Sequence, residues 1–193
     1  MSERQKSKSL HKINMSHIAR YEFAKKFIRN TFLVLDYGCG VGYGSFMLAS
    51  KAKEVLALDK DLETICFAKE NYQKENIEFR LGTLIMECRK WDVSVCFEVI
   101  EHSEEPDIIL EEIVRSSKDE AYILISTPDG RVKPFSKEKY PYHVRHYRQL
   151  EFTKLLNDAG LKIIKKFTQP SKSIGTILPG WGGSYNIALC QKI

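Results

Sequence analysis

The stretch at residues 32–44 reads FLVLDYGCGVGYG, a short apolar run that passes directly into a series of glycines. An apolar run of this length bounded by glycines is typical of a buried strand, predicted here at residues 32–37. The glycines that follow allow the backbone to turn tightly and to approach a ligand closely. The sequence therefore predicts a strand whose carboxyl end opens into a ligand-binding turn.

The spacing of these glycines departs from the GxGxxG pattern of dinucleotide-binding turns. Counting from Gly38 places Tyr43 at the third glycine position, and counting from Gly40 places Ser45 there. Asp36 lies two residues before Gly38, where its carboxylate would repel a pyrophosphate but attract a cation. S-adenosylmethionine carries an ammonium and a sulfonium group and no phosphate, so it suits this turn better than a dinucleotide does.

Strands and helices alternate along the rest of the chain. The apolar spacing and the turn residues predict strands at residues 32–37, 54–58, 77–81, 92–97, 121–126, 161–167 and 185–191. Helices are predicted at 13–29, 43–50, 61–73, 106–116 and 149–159, the fourth beginning at Pro106 and the last ending before Gly160. This alternation predicts an α/β fold with helices on both faces of a mostly parallel sheet, and ligands at the carboxyl ends of its strands.

Length and composition indicate one folded domain outside the membrane. The chain has 193 residues, 43% hydrophobic and 28% charged, which is ordinary for a globular protein. It contains no apolar run long enough to span a bilayer, and the N-terminal MSERQKSKSLHK lacks the apolar core of a secretion signal. The five cysteines form no CxxC pair, so neither a disulfide framework nor a zinc site is expected. We therefore expect a cytoplasmic protein with a polar basic tail at 1–12 and a single domain at 13–193.

Positive charge is concentrated in two segments. Residues 1–30 hold eight Lys or Arg and two acids, and residues 131–148 hold six Lys or Arg and one acid. The second segment lies in a loop at 128–147, which is long for a compact domain and therefore suits a substrate lid. Basic segments on an otherwise acidic body predict an anionic substrate or partner, with the first helix, at 13–30, and this loop covering it.

A carboxylate follows the second predicted strand. Asp59 comes nineteen residues after Gly40, and an acid at the tip of this strand can accept hydrogen bonds from both ribose hydroxyls of a bound nucleoside. With the glycine turn, Leu58-Asp59 and the segment WDVSVCFEVIEH at 91–102, the chain resembles the class I S-adenosylmethionine-dependent methyltransferases over nearly its whole length. The resemblance implies a Rossmann-like sheet of seven strands whose last strand is antiparallel.

The same resemblance implies which residues contact the cofactor. Gly38 and Gly40 would line it, Asp59 would hold its ribose, and Phe97 and Glu98 would lie beside its methionine moiety. Thr83 stands where the family often has an acid near the adenine amino group. The predicted cofactor contacts are Asp36, Gly38, Gly40, Asp59, Lys60, Thr83, Phe97 and Glu98.

Acidic and imidazole side chains after the fourth predicted strand supply the candidates for catalysis. Glu98, Glu101 and His102 stand together, and the long loop adds His143. In one hypothesis His102 or His143 is a general base. In a second, the four residues bind a divalent ion, because the pattern is similar to the metal site of small-RNA 2′-O-methyltransferases. In a third they only shape the pocket, as in methyltransferases without metal. We predict Glu101, His102 and His143 as catalytic residues and assign no metal ligand.

These residues predict a methyltransferase that uses S-adenosylmethionine and releases S-adenosylhomocysteine. An oxygen acceptor on a small molecule is expected, because the candidate groups are acids and bases, and the basic segments favour an anionic molecule. No Asn-Pro-Pro-Tyr sequence, typical of amine-binding sites, follows the fourth strand. Two alternatives stay open. One is a metal-dependent 2′-O-methyltransferase acting on RNA, and the other is a non-catalytic subunit that only binds S-adenosylmethionine. The first helix, around His17, Arg20 and Tyr21, and the loop at 130–147 would cover the acceptor.

Overall fold

A computed structural model describes residues 14–84, 87–170 and 175–193 of the chain. The predicted tail at 1–12 lies outside the described residues. These residues contain eight strands: β1 Leu33–Tyr37, β2 Glu54–Asp59, β3 Ile77–Leu81, β4 Trp91–Phe97, β5 Ser117–Pro128, β6 Leu161–Gln169, β7 Leu178–Pro179 and β8 Tyr185–Lys192. Five α-helices accompany them: α1 Met15–Ala24, α2 Tyr43–Leu48, α3 Leu62–Asn71, α4 Pro106–Ser116 and α5 Gln149–Asp158.

The strands form one sheet in the order β3-β2-β1-β4-β5-β8-β6-β7. The pairs from β3 to β5 are parallel, whereas β8 lies antiparallel between β5 and β6. The predicted Rossmann-like fold with an antiparallel last strand is therefore confirmed. The sequence predicted seven strands, and the described residues form eight. The additional strand is β7, which has two residues, pairs with Phe167 and Thr168 of β6 and has no periodic pattern of its own.

The helices cover both faces of the sheet, as expected for alternating elements. On one face, α1, α2 and α3 contribute Tyr21, Leu48 and Ile65 to a buried apolar cluster. On the other face, α4 and α5 contribute Leu110 and Phe152 to a second cluster. The four strands β1, β2, β4 and β5 are buried over most of their length between these layers. Their carboxyl ends consequently form the edge of the sheet at which the loops carry polar side chains.

Several element bounds differ from the sequence-based expectation. The first helix, expected over 13–29, is an α-helix only at Met15–Ala24 and continues as a 3-10 turn at Lys25–Phe27. Strand β5 begins at Ser117 rather than at residue 121, because Ser117 already pairs with Trp91 of β4. Gly160 adopts a φ of 79° directly after α5, the left-handed conformation that the sequence predicted there.

The long loop between β5 and α5 is fixed at its base. Asp129 and Tyr147 form an isolated parallel β-bridge, and the backbone N–H of Gly130 donates to the carbonyl oxygen of Tyr147 over 2.9 Å. The loop also contacts the segment that follows β4, since the N–H of Val144 donates to the carbonyl oxygen of Glu101 over 2.7 Å. The segment predicted as a substrate lid is thus tied down at both ends against the site edge of the sheet.

Candidate active site

A cavity of about 850 Å³ opens at the carboxyl ends of β1, β2 and β4. A volume of this size is typical of small-molecule sites. Ten of the residues predicted for the site line this cavity: Gly38, Gly40, Asp59, Lys60, Thr83, Phe97, Glu98, Glu101, His102 and His143. Lys60 and Thr83 are exposed at its rim, whereas Phe97, Glu101 and His143 are buried in its wall.

The glycine turn and Asp59 form the first end of the cavity. The N–H groups of Gly38 and Cys39 donate to the carbonyl oxygen of Leu58, which joins the turn to the end of β2. Asp59 accepts hydrogen bonds from the N–H of Gly40 and from the N–H of Asp61, both over 3.0 Å. This carboxylate therefore sets the position of the turn as well as facing the cavity.

The glycine turn fits the cofactor implied by the resemblance. Gly38 and Gly40 have φ values of 81° and 55°, in the left-handed region that favours glycine. A side chain at Gly40 would meet no other atom within 4 Å, so the backbone there faces open space beside Asp59. An accessible backbone next to a strand-end carboxylate suits a ribose, which offers two hydroxyl donors.

Glu98 lines the cavity directly after β4. Its φ is 56°, and among the described residues it is the non-glycine residue with positive φ. Such a backbone costs roughly 1–2 kcal/mol and persists only where surrounding contacts impose it. Here the N–H of Glu98 donates to the carbonyl oxygen of Ser126, and the Ser126 hydroxyl donates to the Glu98 carboxylate over 2.7 Å. The strained backbone turns this carboxylate toward the cavity next to Phe97.

Asp36 is placed differently from the other predicted cofactor contacts. It is fully buried and does not line the cavity. Its carboxylate accepts hydrogen bonds from the hydroxyl of Ser45 over 2.6 Å and from the hydroxyl of Tyr21 over 3.3 Å. Tyr21 itself lines the cavity and packs edge-on against Phe97. In this geometry Asp36 contacts the wall of the site through Tyr21, and its role as a cofactor contact stays a prediction.

Burial makes Asp36 a source of pH-dependent stability. Desolvation raises the pKa of this carboxyl from 3.8 to about 7. Between these values the folded protein binds a proton that the unfolded chain lacks, so the free energy of unfolding falls as the pH rises through this window. We expect this fall between pH 5 and pH 8 to be about 2–3 kcal/mol smaller in Asp36→Asn than in the unsubstituted protein. Urea unfolding of both proteins at the two pH values tests this; an identical pH dependence would contradict it.

Glu101, His102 and His143 form a cluster on the other side of the cavity. A possible ligand atom from each lies within 4.8 Å of the others. Glu101 is fully buried and His143 is nearly so, while His102 is half-buried. The two imidazole rings pack edge-on, with 4.4 Å between their centroids. The structure therefore brings together the three residues that the sequence predicted as catalytic, although they come from two distant segments.

Hydrogen bonds determine the tautomers of these histidines. Nδ1 of His146 lies 2.6 Å from the carbonyl oxygen of Lys133, so it carries the proton and leaves Nε2 as an acceptor. Nδ1 of His143 lies 2.7 Å from that Nε2 and is therefore the donor. His102 likewise donates from Nδ1 to the carbonyl oxygen of Tyr142 over 2.9 Å. In their neutral forms both His102 and His143 thus carry the basic lone pair on Nε2.

His143 and His146 form a histidine relay, and burial favours the neutral form of His146. Desolvation lowers the pKa of His146, and the neutral imidazole is the form that can accept the hydrogen bond from His143. The sequence assigns no role to His146, because the order HVRH at 143–146 does not show that the rings of His143 and His146 meet. A base or a metal ligand at Nε2 of His143 requires this arrangement of protons.

Lys133 is the basic residue of the long loop that lines the cavity. Arg131, Lys137, Lys139 and Arg145 are exposed and do not line it. Tyr185, at the start of β8, also lines the cavity and was not predicted as a site residue. It lies near Lys133 only because β8 inserts beside β5, a pairing between segments far apart in sequence. No local pattern could have indicated this contact.

A Rossmann-like sheet with this glycine turn and strand-end carboxylate defines a class I S-adenosylmethionine-dependent methyltransferase. A family model described as a methyltransferase domain matches residues 29–169. The chain belongs to this family, whose cofactor is S-adenosylmethionine.

Individual proteins agree with this assignment. The chain is 33% identical over 137 residues to a probable S-adenosylmethionine-dependent methyltransferase of Mycolicibacterium smegmatis. The aligned region covers 67% of this chain and 52% of that relative. It is 25% identical over 182 residues to the ubiquinone biosynthesis O-methyltransferase of Cronobacter sakazakii, covering 88% and 69% of the two chains. A TehB-like methyltransferase from Corynebacterium glutamicum shares the fold, with a TM-score of 0.70, 20% identity and coverage of 94% and 89%. The chain spans about half the length of the mycobacterial relative.

The helices of the structure were compared with the requirements for a membrane-spanning segment. Within the part of the chain that it describes, no helix combines the length and the apolar character needed to cross a bilayer.

Proposed function

We propose that the protein transfers a methyl group from S-adenosylmethionine to an oxygen atom of a small molecule. The observation that carries the proposal is that one cavity joins the glycine turn and Asp59 at one end to Glu101, His102 and His143 at the other. A donor site and a set of basic groups facing the same space are what in-line transfer to a hydroxyl requires.

Each end of the cavity has a separate task in this mechanism. When bound, S-adenosylmethionine supplies an electrophilic methyl group, so the protein mainly has to align the acceptor and remove its proton. Gly38, Gly40 and Asp59 hold the donor, and Phe97 and Glu98 border its methionine end. Nε2 of His143 takes the proton of the acceptor hydroxyl, while His146 holds the imidazole in the tautomer that can do so.

Two other functions serve as alternatives. The compact cluster of Glu101, His102 and His143 has suitable ligands for a divalent ion, which favours a metal-dependent 2′-O-methyltransferase of RNA. Against it, the exposed basic residues of the long loop do not line the cavity. A non-catalytic cofactor-binding subunit would need the donor end only, and the histidine relay is unexplained in that case.

The experiment supplies S-adenosylmethionine with a ¹³C- and tritium-labelled methyl group to fractionated cell extract, with Mn²⁺ and then with a chelator. We expect label in the small-molecule fraction, insensitive to ribonuclease and to the chelator, with a carbon chemical shift typical of a methyl ether or ester. Label that ribonuclease removes and the chelator blocks would replace the proposal by the RNA alternative. Absence of label in every fraction, despite binding of S-adenosylhomocysteine, would favour the non-catalytic subunit.

A further inference from the structure

Two cationic side chains border the same side of the cavity. Arg20 of α1 is 1% exposed, and its guanidinium donates to Oε1 of Gln169 over 2.5 Å and lies 5.0 Å from the centre of the Tyr185 ring. Lys133 of the long loop is half-buried, with its ammonium 3.8 Å from the centre of the same ring. Positive charge from two separate elements is thus directed at one region beside Tyr185.

Lys133 is held rigidly in this position. Its N–H donates to the carbonyl oxygen of Asp129 over 2.7 Å, and its own carbonyl oxygen accepts from Nδ1 of His146 over 2.6 Å. The ammonium donates to the hydroxyl of Tyr185 over 2.5 Å. Both backbone groups and the end of the side chain are therefore fixed, which separates Lys133 from the exposed lysines of the same loop.

Among the described residues no carboxylate is in direct contact with the Lys133 ammonium. Burial lowers the pKa of this lysine, and Glu98 opposes this effect only from a longer distance. The neighbouring His17, whose pKa is lowered to about 3 by burial and then by the charges of Arg20 and Lys133, reports the same positive potential. A partly buried ammonium without a carboxylate is costly, and a bound anion would offset that cost.

The surroundings of Lys133 indicate what kind of anion this is. Tyr140, Tyr185 and the ring of His143 line the cavity around it, which gives the region aromatic walls. The Tyr140 and His143 rings are 5.3 Å apart between centroids. Flat walls of this kind suit an aromatic ring, and the positive charge beside them suits a carboxylate on that ring. The histidine cluster lies on the same side, so a ring bound here would have its hydroxyl near the proposed base.

We propose that Lys133 and Tyr185 form the subsite for the carboxylate of an aromatic hydroxy acid, which is the acceptor of the methyl group. The inference rests on the proposed function for the identity of the acceptor, but the subsite can be tested without turnover. The carboxylate accepts from the Lys133 ammonium and from the Tyr185 hydroxyl, while the ring lies against Tyr140.

The test measures the binding of two probes of the same shape to the protein saturated with S-adenosylhomocysteine. The probes are para-hydroxybenzoate and its uncharged amide, para-hydroxybenzamide, and binding is followed by calorimetry. Because a charge-assisted hydrogen bond is worth about 1.5–3 kcal/mol, we expect the acid to bind about tenfold more tightly than the amide, or better. Lys133→Met should remove this preference and Lys133→Arg should retain most of it. Lys139→Met, in the exposed part of the same loop, should leave it unchanged.

Three results would overturn the proposal. The first is equal binding of the two probes, or of neither, to the unsubstituted protein. The second is a preference for the acid that persists in Lys133→Met. The third is a loss of affinity for S-adenosylhomocysteine in Lys133→Met, which would assign this lysine to the carboxylate of the cofactor. The two proposals can fail separately. If no methyl transfer is found but the protein still prefers the acid in a way that depends on Lys133, the proposed function is rejected and the subsite is retained.

Discussion

Replacing Asp59 by alanine is expected to weaken the binding of S-adenosylhomocysteine by about 100-fold or more. The carboxylate lies at the cavity end of β2, where it would accept hydrogen bonds from both ribose hydroxyls. Hydrogen bonds to a charged group contribute about 1.5–3 kcal/mol each, so the loss of two gives an effect of this size. The substitution also removes the acceptor for the N–H of Gly40, which loosens the turn that faces the ligand.

Calorimetric titration of the folded variant measures this effect, with thermal unfolding as the check on folding. Asp61→Asn is the matched control, because Asp61 is a cavity-lining acid two residues away whose side chain caps α3. Asparagine caps a helix equally well, so this control should bind within about threefold of the unsubstituted protein. Asp59→Asn keeps one acceptor oxygen, so its affinity for S-adenosylhomocysteine should lie between those of Asp59→Ala and Asp61→Asn. An Asp59→Ala variant that folds and binds within fivefold would remove Asp59 from the donor site.

The parts of this molecule that sequence alone predicts are those set by local patterns. Strand β1 and its glycine turn follow from an apolar run that ends in residues tolerant of positive φ. The end of α5 at Gly160 follows in the same way. Asp59 could be placed because the carboxyl ends of parallel strands meet at one edge of the sheet. Each inference needs only the neighbouring residues and the general rule for parallel sheets.

The parts that sequence does not predict depend on contacts between distant segments. The spacing of Asp36 and Gly38 suggested a contact with the cofactor, but it did not show that Tyr21 from α1 donates to that carboxylate. The position of Lys133 against Tyr185 depends on the insertion of β8 beside β5. No period or motif within either segment encodes these meetings, which arise from packing across the sheet.

The hydrogen bonds of the histidine relay, His143 and His146, could not be predicted from the sequence either. The sequence predicted His143 as a catalytic residue from its type and its place in a loop near the site. It could not supply the bond from His143 to His146, nor the bond from His146 to the carbonyl oxygen of Lys133. These two bonds determine which nitrogen of His143 is basic, and so they turn a list of candidates into a specific expectation.

The replacement of His143 by glutamine is expected to lower kcat by about 100-fold or more, while the affinity for S-adenosylhomocysteine stays unchanged. Removal of a general base typically costs 10²–10⁴-fold, because proton transfer in the transition state is lost. The glycine turn and Asp59 lie at the other end of the cavity, so donor binding should not respond. The assay uses the extract fraction that accepts labelled methyl groups from S-adenosylmethionine, and binding is measured separately.

His146→Gln distinguishes catalysis by His143 from a structural role. This substitution leaves His143 in place but removes the acceptor that holds its Nδ1 proton, so His146 acts as a positioning residue. We expect a smaller fall in kcat, of about tenfold, with KM and donor affinity nearly unchanged. If both variants keep kcat within threefold, the cluster only shapes the pocket. If the chelator abolishes turnover in the unsubstituted protein, and both variants lose Mn²⁺ affinity, then Nε2 of His143 is a metal ligand rather than a base, because the same lone pair serves both chemistries.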